Sequence, residues 1–425
     1  MIVEVIQMSL LQTLFRKLHD TIHSDEFFKS YRANETAFTR NRILGFAPLV
    51  TFILWCAKTS LPSTLHAFLE SILGGKQSCT RQAFSKRRKL VKPEAFEELF
   101  KESAEYLVTA VCPAKDEMRI LAIDGSKVNL PTHPELIEAF GIQKSTGDLP
   151  QALVSMLYDV DNRFALDVQI RPHNGSEREM ALCHIKRAQE LLGDEPYLMI
   201  YDRGYPSAEL LHTMATSNIW YLMRCPTEFV RAMDGKLPDQ WVTHKFRSLR
   251  QAITFRVVHQ TLSNGNEEIL CTNLPDVYNA SVLVELYSKR WRIETGYDFL
   301  KNRVQLENLS GITLCAFMQH LYACLLMSNL CGAYYCDNRS NEVEADSDPE
   351  RKCDRRLNMA TILGAIRDIL PRALVFSRSC ISHLVKTVDI RRVKNIFRYD
   401  KKGRCKSRIP LHPSMKFTQS QRTVF

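Results

Sequence analysis

The sequence lacks the features that mark secreted, disulfide-stabilised and zinc-binding proteins. Its 13 cysteines are an odd number, and no two of them form a Cys-x-x-Cys pair. This usage argues against a disulfide framework or a zinc site and is typical of reduced thiols in a cytosol. The first residues carry no basic stretch, and Glu4 interrupts their apolar run. We therefore expect no secretory signal and a cytoplasmic location.

Long uninterrupted apolar runs are also missing. Residues 46–55 are too few to cross a bilayer, and residues 316–335 contain Gln319, His320 and Asn329. We expect both segments to be buried helices and expect no membrane partner.

The charge balance favours a polyanionic partner. The 425 residues carry a formal net charge of +10 with a pI near 8.9, and 45% of them are hydrophobic, enough for two or three domains with real cores. A basic protein of this size is suited to nucleic acid, although many basic proteins never bind it.

Two apolar runs of strand length each end in an aspartate close to a glycine. The first, residues 119–123, precedes Asp124, and the second, residues 197–201, precedes Asp202. Buried apolar strands of this kind belong to α/β sheets, whose ligands collect at the carboxyl ends of the strands. Each aspartate alone is equally consistent with a turn or a helix cap. Together the two strands predict that the carboxylates converge.

A third acid lies in a charged segment farther along the chain. Treated as one helix at about 100° per residue, the side chains of Tyr287, Arg290, Glu294 and Lys301 fall within roughly 60° of each other. For an isolated helix, the simpler interpretation is a solvated face with i,i+4 charge pairs. The two aspartate strands favour a shared site for the three acids.

Three converging carboxylates suit hard divalent cations, which prefer oxygen ligands. Asp124, Asp202 and Glu294 are therefore both the candidate catalytic residues and the candidate metal ligands. We expect two Mg²⁺ ions, for which Mn²⁺ can substitute, because a two-metal site stabilises both oxygens of an in-line displacement at phosphorus. Arg290 and Lys301 would then bind phosphates, and Tyr287 would stack on a base or bind a phosphate.

These residues resemble the cut-and-paste insertion-sequence transposases of the DDE type, in the subgroup marked by a Tyr, Arg, Glu, Lys signature. Tyr287, Arg290, Glu294 and Lys301 match that signature at its spacings of three, four and seven residues. The resemblance implies an RNase H-like core that cleaves double-stranded DNA at terminal inverted repeats and joins the 3′ ends to target DNA. It also implies a homodimer on paired ends, and with it a bacterial, nucleoid-associated protein.

The expected fold class is α/β, with an RNase H-like catalytic core interrupted by a β-rich insertion and flanked by helical regions. The predicted domains are a helical N-terminal DNA-binding region (1–112), the first part of the core (113–224), the insertion (225–278), the final catalytic helix with the helix after it (279–336), and a helical C-terminal region with a basic tail (337–425). The acidic stretch 342–354 is predicted to be a mobile loop. The basic stretch 391–408 either follows a phosphate backbone or is a solvated tail.

A short basic helix in the N-terminal region is the candidate reader of DNA ends. It contains Arg81, Lys86, Arg87 and Arg88, and a second helix follows at Pro93. A solvated basic face is the alternative interpretation.

The leading hypothesis is a metal-dependent DNA transposase of an insertion sequence. Two alternatives stay open: a nuclease or resolvase with the same core that cuts without joining, and a captured, non-catalytic DNA-binding protein derived from a transposase.

Overall fold

The computed structural model describes residues 8–40, 42–55, 60–74, 78–115, 117–144, 148–226, 229, 237–261, 265, 267–339, 353–394 and 397–400. The chain divides into two compact units. A helical unit comprises Met1–Leu107, Leu130–Ala139 and Phe299–Phe425, and a sheet unit comprises Val108–Asn129 and Phe140–Asp298.

Both units contain helices among the described residues. In chain order they are α1 (Leu10–Ile22), α2 (Asp25–Tyr31), α3 (Phe46–Trp55), α4 (Leu61–Leu73), α5 (Arg81–Arg88), α6 (Glu94–Ala110), α7 (Pro134–Phe140), α8 (Glu177–Leu192), α9 (Ala208–Thr216), α10 (Ala280–Ser288), α11 (Trp291–Asp298), a π-helical segment (Phe299–Val304), α12 (Leu314–Asn338), and the helices Met359–Val375 and Ile381–Lys394.

The strands of the sheet unit form one mixed sheet. They are β1 (Arg119–Asn129), β2 (Ile142–Gln143), β3 (Leu149–Asp159), β4 (Phe164–Pro172), β5 (Tyr197–Tyr201), β6 (Trp220–Cys225), β7 (Asp239–His244), β8 (Ile253–Thr261) and β9 (Glu267–Thr272). Their order is β2-β3-β1-β5-β6-β9-β8-β7, and β4 pairs with β3.

The strand directions confirm the expected α/β class with an RNase H-like core. β1 pairs antiparallel with β3 and parallel with β5, and β6 pairs parallel with β5. Strand β5 and residues Ile120–Ile123 of β1 are runs of buried apolar residues, as expected of strands that are covered on both faces. The hairpin β3–β4 is followed by α8, which Ser176 caps by accepting a hydrogen bond from the backbone N–H of Glu179.

The β-rich insertion continues the core sheet. β9 pairs antiparallel with β6, and β8 and β7 follow outward. Without β9, the edge of β6 would leave a row of backbone N–H and C=O groups without partners, and pairing with β9 satisfies them.

Helix α12 forms the centre of the helical unit. By length and composition it could cross a membrane, but its most apolar stretch is 83% buried inside the protein, as expected of a core helix. Its neighbours include α1, α3 and the helix Met359–Val375. Buried polar side chains on α12 have partners there: Asn329, for example, donates a 3.0 Å hydrogen bond to Ser103.

Two predictions for the C-terminal region fall largely outside the described residues. The predicted acidic loop, 342–354, is described only from Cys353, where β10 (Cys353–Arg356) pairs antiparallel with β11 (Phe397–Asp400). In the basic stretch 391–408, residues 395–396 and everything beyond Asp400 lie outside the described part of the chain.

Candidate active site

The two predicted aspartates lie side by side in the sheet unit. Parallel pairing between β1 and β5 ends at Ile123 and Tyr201, and Asp124 and Asp202 are the residues that follow this last pair. Asp124 is not at the end of its strand, as the sequence suggested, because β1 continues to Asn129 through its pairing with β3. It lies instead where β1 loses its parallel neighbour.

Each aspartate accepts a hydrogen bond from the backbone of the residue that follows it. The N–H of Gly125 donates to Asp124 Oδ1 at 2.9 Å, and the N–H of Arg203 donates to Asp202 Oδ1 at 2.6 Å. A backbone N–H fixes one oxygen of each carboxylate, and the other oxygen accepts no hydrogen bond from the described residues, so it is available to a ligand.

The environment of Asp124 favours its neutral form. Burial raises the pKa of Asp124 to about 6, and the negative charges of Glu177 and Asp202 add to this effect. The hydrogen bond from Gly125 and the positive charge of Arg290 act in the opposite direction without cancelling it. A cation placed among these carboxylates would therefore relieve both repulsion and desolvation.

Glu177 is an acidic neighbour that the sequence analysis missed. It lies in the first turn of α8 and approaches the backbone of Gly125 so closely that a Cβ there would stand 2.7 Å from Glu177 Cδ. The hydroxyl of Tyr205 donates to Glu177 Oε2 at 3.2 Å. Gly125 was the feature of the sequence that could have indicated Glu177, because a glycine lets another side chain approach the backbone closely.

The signature residues do not lie on one helix, which corrects the sequence-based prediction. Tyr287 is on α10, Arg290 lies in the turn after it, Glu294 is on α11, and Lys301 is in the π-helical segment. A wheel of constant pitch does not hold across these breaks. The i,i+4 pair of Arg290 and Glu294 is nevertheless formed, since Arg290 Nη2 donates a 2.7 Å hydrogen bond to Glu294 Oε1.

Two buried polar groups close to Asp202 lack partners among the described residues. They are the hydroxyl of Tyr287, whose residue is 5% exposed, and Nε of Arg290, whose residue is 4% exposed. Burial raises the pKa of Tyr287, and Asp202 is among the charges that act on both residues. Unsatisfied buried donors are costly, so they mark a place where an anionic ligand would gain hydrogen bonds.

Comparison with known proteins decides the family. The family model described as "Transposase DDE domain" matches residues 115–330, about half of the chain. This chain belongs to the DDE transposase family.

The transposase also resembles a solved structure of low sequence similarity. A cryo-EM structure of the piggyBac transposase synaptic complex with hairpin DNA aligns with 90% of this chain and 84% of its own, at 10% identity and a TM-score of 0.45. No curated protein matches the sequence.

The carboxylates of the transposase have the donor chemistry that a divalent cation requires, but they are not gathered into a complete cage. Within the described ranges, no group of three or more His, Cys, Asp or Glu side chains is arranged to hold a metal ion. Asp124 and Asp202 are adjacent, whereas Glu294 is bonded to Arg290. The oxygen donors thus fit Mg²⁺ or Mn²⁺ in kind, with Asp124 and Asp202 as the residues that would hold it.

Lys301 belongs to the helical unit of the transposase. Its Nζ lies 4.0 Å from Glu307 Oε1, and burial lowers its pKa while Glu307 opposes that shift.

Helix α5 of the transposase exposes only some of its predicted DNA-binding residues. Arg81 and Lys86 are exposed, but Arg87 and Arg88 are buried. Arg87 donates to the carbonyl oxygen of Leu44, and Arg88 donates to Gln319 Oε1 at 2.6 Å. The prediction that all four contact DNA is therefore corrected: the apolar face of this short helix carries Arg87 and Arg88 inward, where they hold the helical unit together.

Proposed function

We propose that this transposase moves an insertion sequence by cleaving DNA at terminal inverted repeats and joining the freed 3′ ends to target DNA. One arrangement carries the proposal: Asp124 and Asp202 converge beside the unpartnered donors of Tyr287 and Arg290. This combination suits a phosphodiester, because the carboxylates suit a hard cation and the donors suit a phosphate oxygen.

Divalent metal ions, two of them in our proposal, would polarise the scissile phosphate and the attacking and leaving oxygens when bound. Asp124 and Asp202 would hold these ions through oxygens that face away from the backbone N–H donors. Mg²⁺ is proposed as the ion, with Mn²⁺ as a substitute.

Arg290 would bind the phosphate on the strand to be cut, and Tyr287 would donate its hydroxyl to the same group. A phosphate that binds Arg290 competes with Glu294 for the guanidinium. The side chain of Glu294 is 43% exposed and would then turn toward Asp124 and Asp202. DNA binding and completion of the carboxylate set would therefore be coupled.

The chemistry is phosphoryl transfer in two steps. A water oxygen bonds to the phosphorus at the repeat boundary while the bond to the 3′ oxygen breaks, which releases a 3′-hydroxyl. The oxygen of that hydroxyl then bonds to a phosphorus of the target while the bond to the target's 3′ oxygen breaks. The attacking hydroxyl gives its proton to solvent, and the departing 3′ oxygen takes one up. We further propose a homodimer on paired ends, acting on nucleoid DNA in the bacterial cytosol.

The first experiment uses purified protein and a labelled duplex that carries the inverted repeat flanking its own coding sequence. With Mg²⁺ we expect a nick at the repeat boundary followed by joining to a plasmid, and with a chelator we expect neither. Asp124→Asn, Asp202→Asn and Glu294→Gln should each abolish cleavage while DNA binding persists.

The same assay separates the alternatives. Metal-dependent cleavage without any joined product would indicate a nuclease or resolvase. Binding without cleavage under all metal conditions would indicate a captured DNA-binding protein and overturn the proposal.

A further inference from the structure

Tyr297 links the helix that carries Glu294 to the strand that carries Asp124. It lies three positions after Glu294 on α11, and its ring is buried in the sheet unit. Its hydroxyl lies 2.8 Å from the carbonyl oxygen of Asp124 and 3.0 Å from that of Val154, and its single proton is shared between these two acceptors.

This hydrogen bond lies at a point where the backbone of β1 has lost one of its neighbouring strands. Asp124 lies where β1 has lost its pairing with β5, so the ladder on that side no longer holds the backbone. The hydroxyl of Tyr297 donates a hydrogen bond to the carbonyl oxygen of Asp124 at this point. Because α11 carries both Tyr297 and Glu294, this bond ties the helix backbone beneath Glu294 to the strand backbone beneath Asp124.

A second contact independently brings α11 close to the sheet. Gly296 faces the ring of Tyr158 on β3, and a Cβ at Gly296 would lie 3.1 Å from Tyr158 Cζ. The glycine therefore permits a close approach of helix and sheet that a larger residue would oppose. Tyr297 and Gly296 are adjacent, and both affect the distance between α11 and the sheet.

We propose that Tyr297 is a positioning residue for the cleavage reaction, acting through the placement of Asp124 relative to Glu294. The inference rests on the proposed function. Tyr297 does not contact the reacting atoms in this role, and its loss would leave every carboxylate in the chain while changing the geometry between them.

Ser155 provides a useful comparison because it holds the same carbonyl from the sheet side. Its hydroxyl lies 3.2 Å from the carbonyl oxygen of Asp124 and 3.1 Å from Nε2 of His184. His184 in turn contacts Asp167 Oδ2 through Nδ1 at 2.7 Å. Ser155 belongs to β3, and its removal would affect the Asp124 carbonyl and the buried His184–Asp167 pair together.

The test replaces only the hydroxyl, in Tyr297→Phe. We expect the cleavage rate at saturating DNA to fall about tenfold and the Mg²⁺ concentration for half-maximal rate to rise severalfold, since small displacements of catalytic groups are costly. The dissociation constant for the terminal repeat should stay within about twofold of wild type, because no phosphate-binding donor is lost.

The matched control is Tyr334→Phe, which removes a buried tyrosine hydroxyl that donates to Asp389 Oδ1 at 2.8 Å in the helical unit. It should leave the Mg²⁺ dependence unchanged. Gly296→Ala tests the spacing by a different route and should reproduce the Tyr297→Phe pattern of slower cleavage, higher Mg²⁺ requirement and retained DNA affinity.

Each outcome has a defined meaning. If wild type does not cleave, the proposed function fails and this role fails with it. If wild type cleaves and Tyr297→Phe matches it in rate and Mg²⁺ requirement, only the positioning role is overturned. A loss of rate that merely follows the folded fraction, measured by circular dichroism and thermal unfolding in the same buffer, would also overturn it.

Discussion

Arg290 donates a 2.7 Å hydrogen bond from Nη2 to Glu294 Oε1, so the signature arginine binds the signature glutamate. The other side of the guanidinium, Nε, has no partner among the described residues. Glu294 is the more exposed partner of this pair, since its side chain is 43% exposed and that of Arg290 is 5% exposed.

Arg290→Gln should weaken binding of a pre-nicked terminal repeat about tenfold and abolish cleavage, because it removes a charge-assisted hydrogen bond to phosphate. Competition binding with labelled duplex measures the first effect. The matched control is Arg292→Gln in the first turn of α11, two residues farther along, where Arg292 pairs with Asp161. Equal losses of affinity in both variants would contradict a specific role for Arg290.

Asp124→Asn should stabilise the metal-free protein at pH 7.5 by about 1–3 kcal/mol but have little effect near pH 4. The pKa of Asp124 is about 6 in the folded protein against an ordinary value of 3.8. The folded state therefore binds more protons than the unfolded state between these values, and the stability contributed by this group is lost as pH rises through about 6. Denaturant unfolding with a chelator, at both pH values, measures the difference. A pH-independent effect would show that burial of the charge is not the cause.

Glu177→Gln should weaken binding of Mn²⁺ to the DNA-free protein about tenfold, because it removes a negative charge that acts directly on Asp124. Titration followed by electron paramagnetic resonance counts free Mn²⁺ without any need for catalysis. Glu179→Gln, an exposed substitution in the same helical turn, serves as the control. Unchanged affinity in Glu177→Gln would remove Glu177 from the ion-binding environment.

Arg40→Gln combined with Arg42→Gln should weaken DNA binding and make it less dependent on salt. Both residues line a cavity of about 760 Å³ beside α5, together with Lys86, three threonines and part of the largely buried Arg87, and no acidic residue is among the described residues that line it. If each arginine contacts one phosphate, the slope of log affinity against log salt should fall by about 0.9 per contact. Arg88→Met should instead lower stability, because Arg88 is bonded internally. An unchanged salt slope in the double variant would exclude this cavity from the DNA contact surface.

Arg119→Met should destabilise the sheet unit by about 3–5 kcal/mol, since it leaves buried acceptors without their partner. The Arg119 side chain is fully buried and bonds Asp159 at 2.8 Å and Glu195 at 2.6 Å. Arg187→Met, which breaks a surface pair with Glu190, should cost at most about 1 kcal/mol. Chemical denaturation of both variants measures the contrast, and similar losses would contradict the ranking by burial.

Local pattern was sufficient for the elements that build the sheet. The apolar runs before Asp124 and Asp202 correspond to the first part of β1 and to β5, and helix α8 begins directly after its capping residue, Ser176. These elements follow from hydrophobic periodicity and capping, which act over a few neighbouring residues. The convergence of two strand-linked aspartates also followed, because neighbouring parallel strands bring their carboxyl ends to one edge.

Residue spacing did not predict the structure where the backbone changes its helical pitch. It also did not predict whether a basic side chain points to solvent or into the core. The segment 287–301 has the spacing of a helix, yet it breaks at Arg290 and becomes π-helical at Phe299. Arg87 and Arg88 are basic, yet the packing of α5 carries them inward. Both results depend on what the rest of the chain places beside the segment.

The amino-acid sequence by itself determined the family, the apolar strands and the identity of the three candidate carboxylates, because periodicity and motif spacing are properties of consecutive residues. Only the tertiary structure decided the rest. It placed Glu177 against Gly125 and paired Arg290 with Glu294. It also brought the hydroxyl of Tyr297 within hydrogen-bond distance of the carbonyl oxygen of Asp124. The two contacts to the Asp124–Gly125 segment join residues far apart in the chain, and all three depend on side-chain packing and burial that local sequence does not encode.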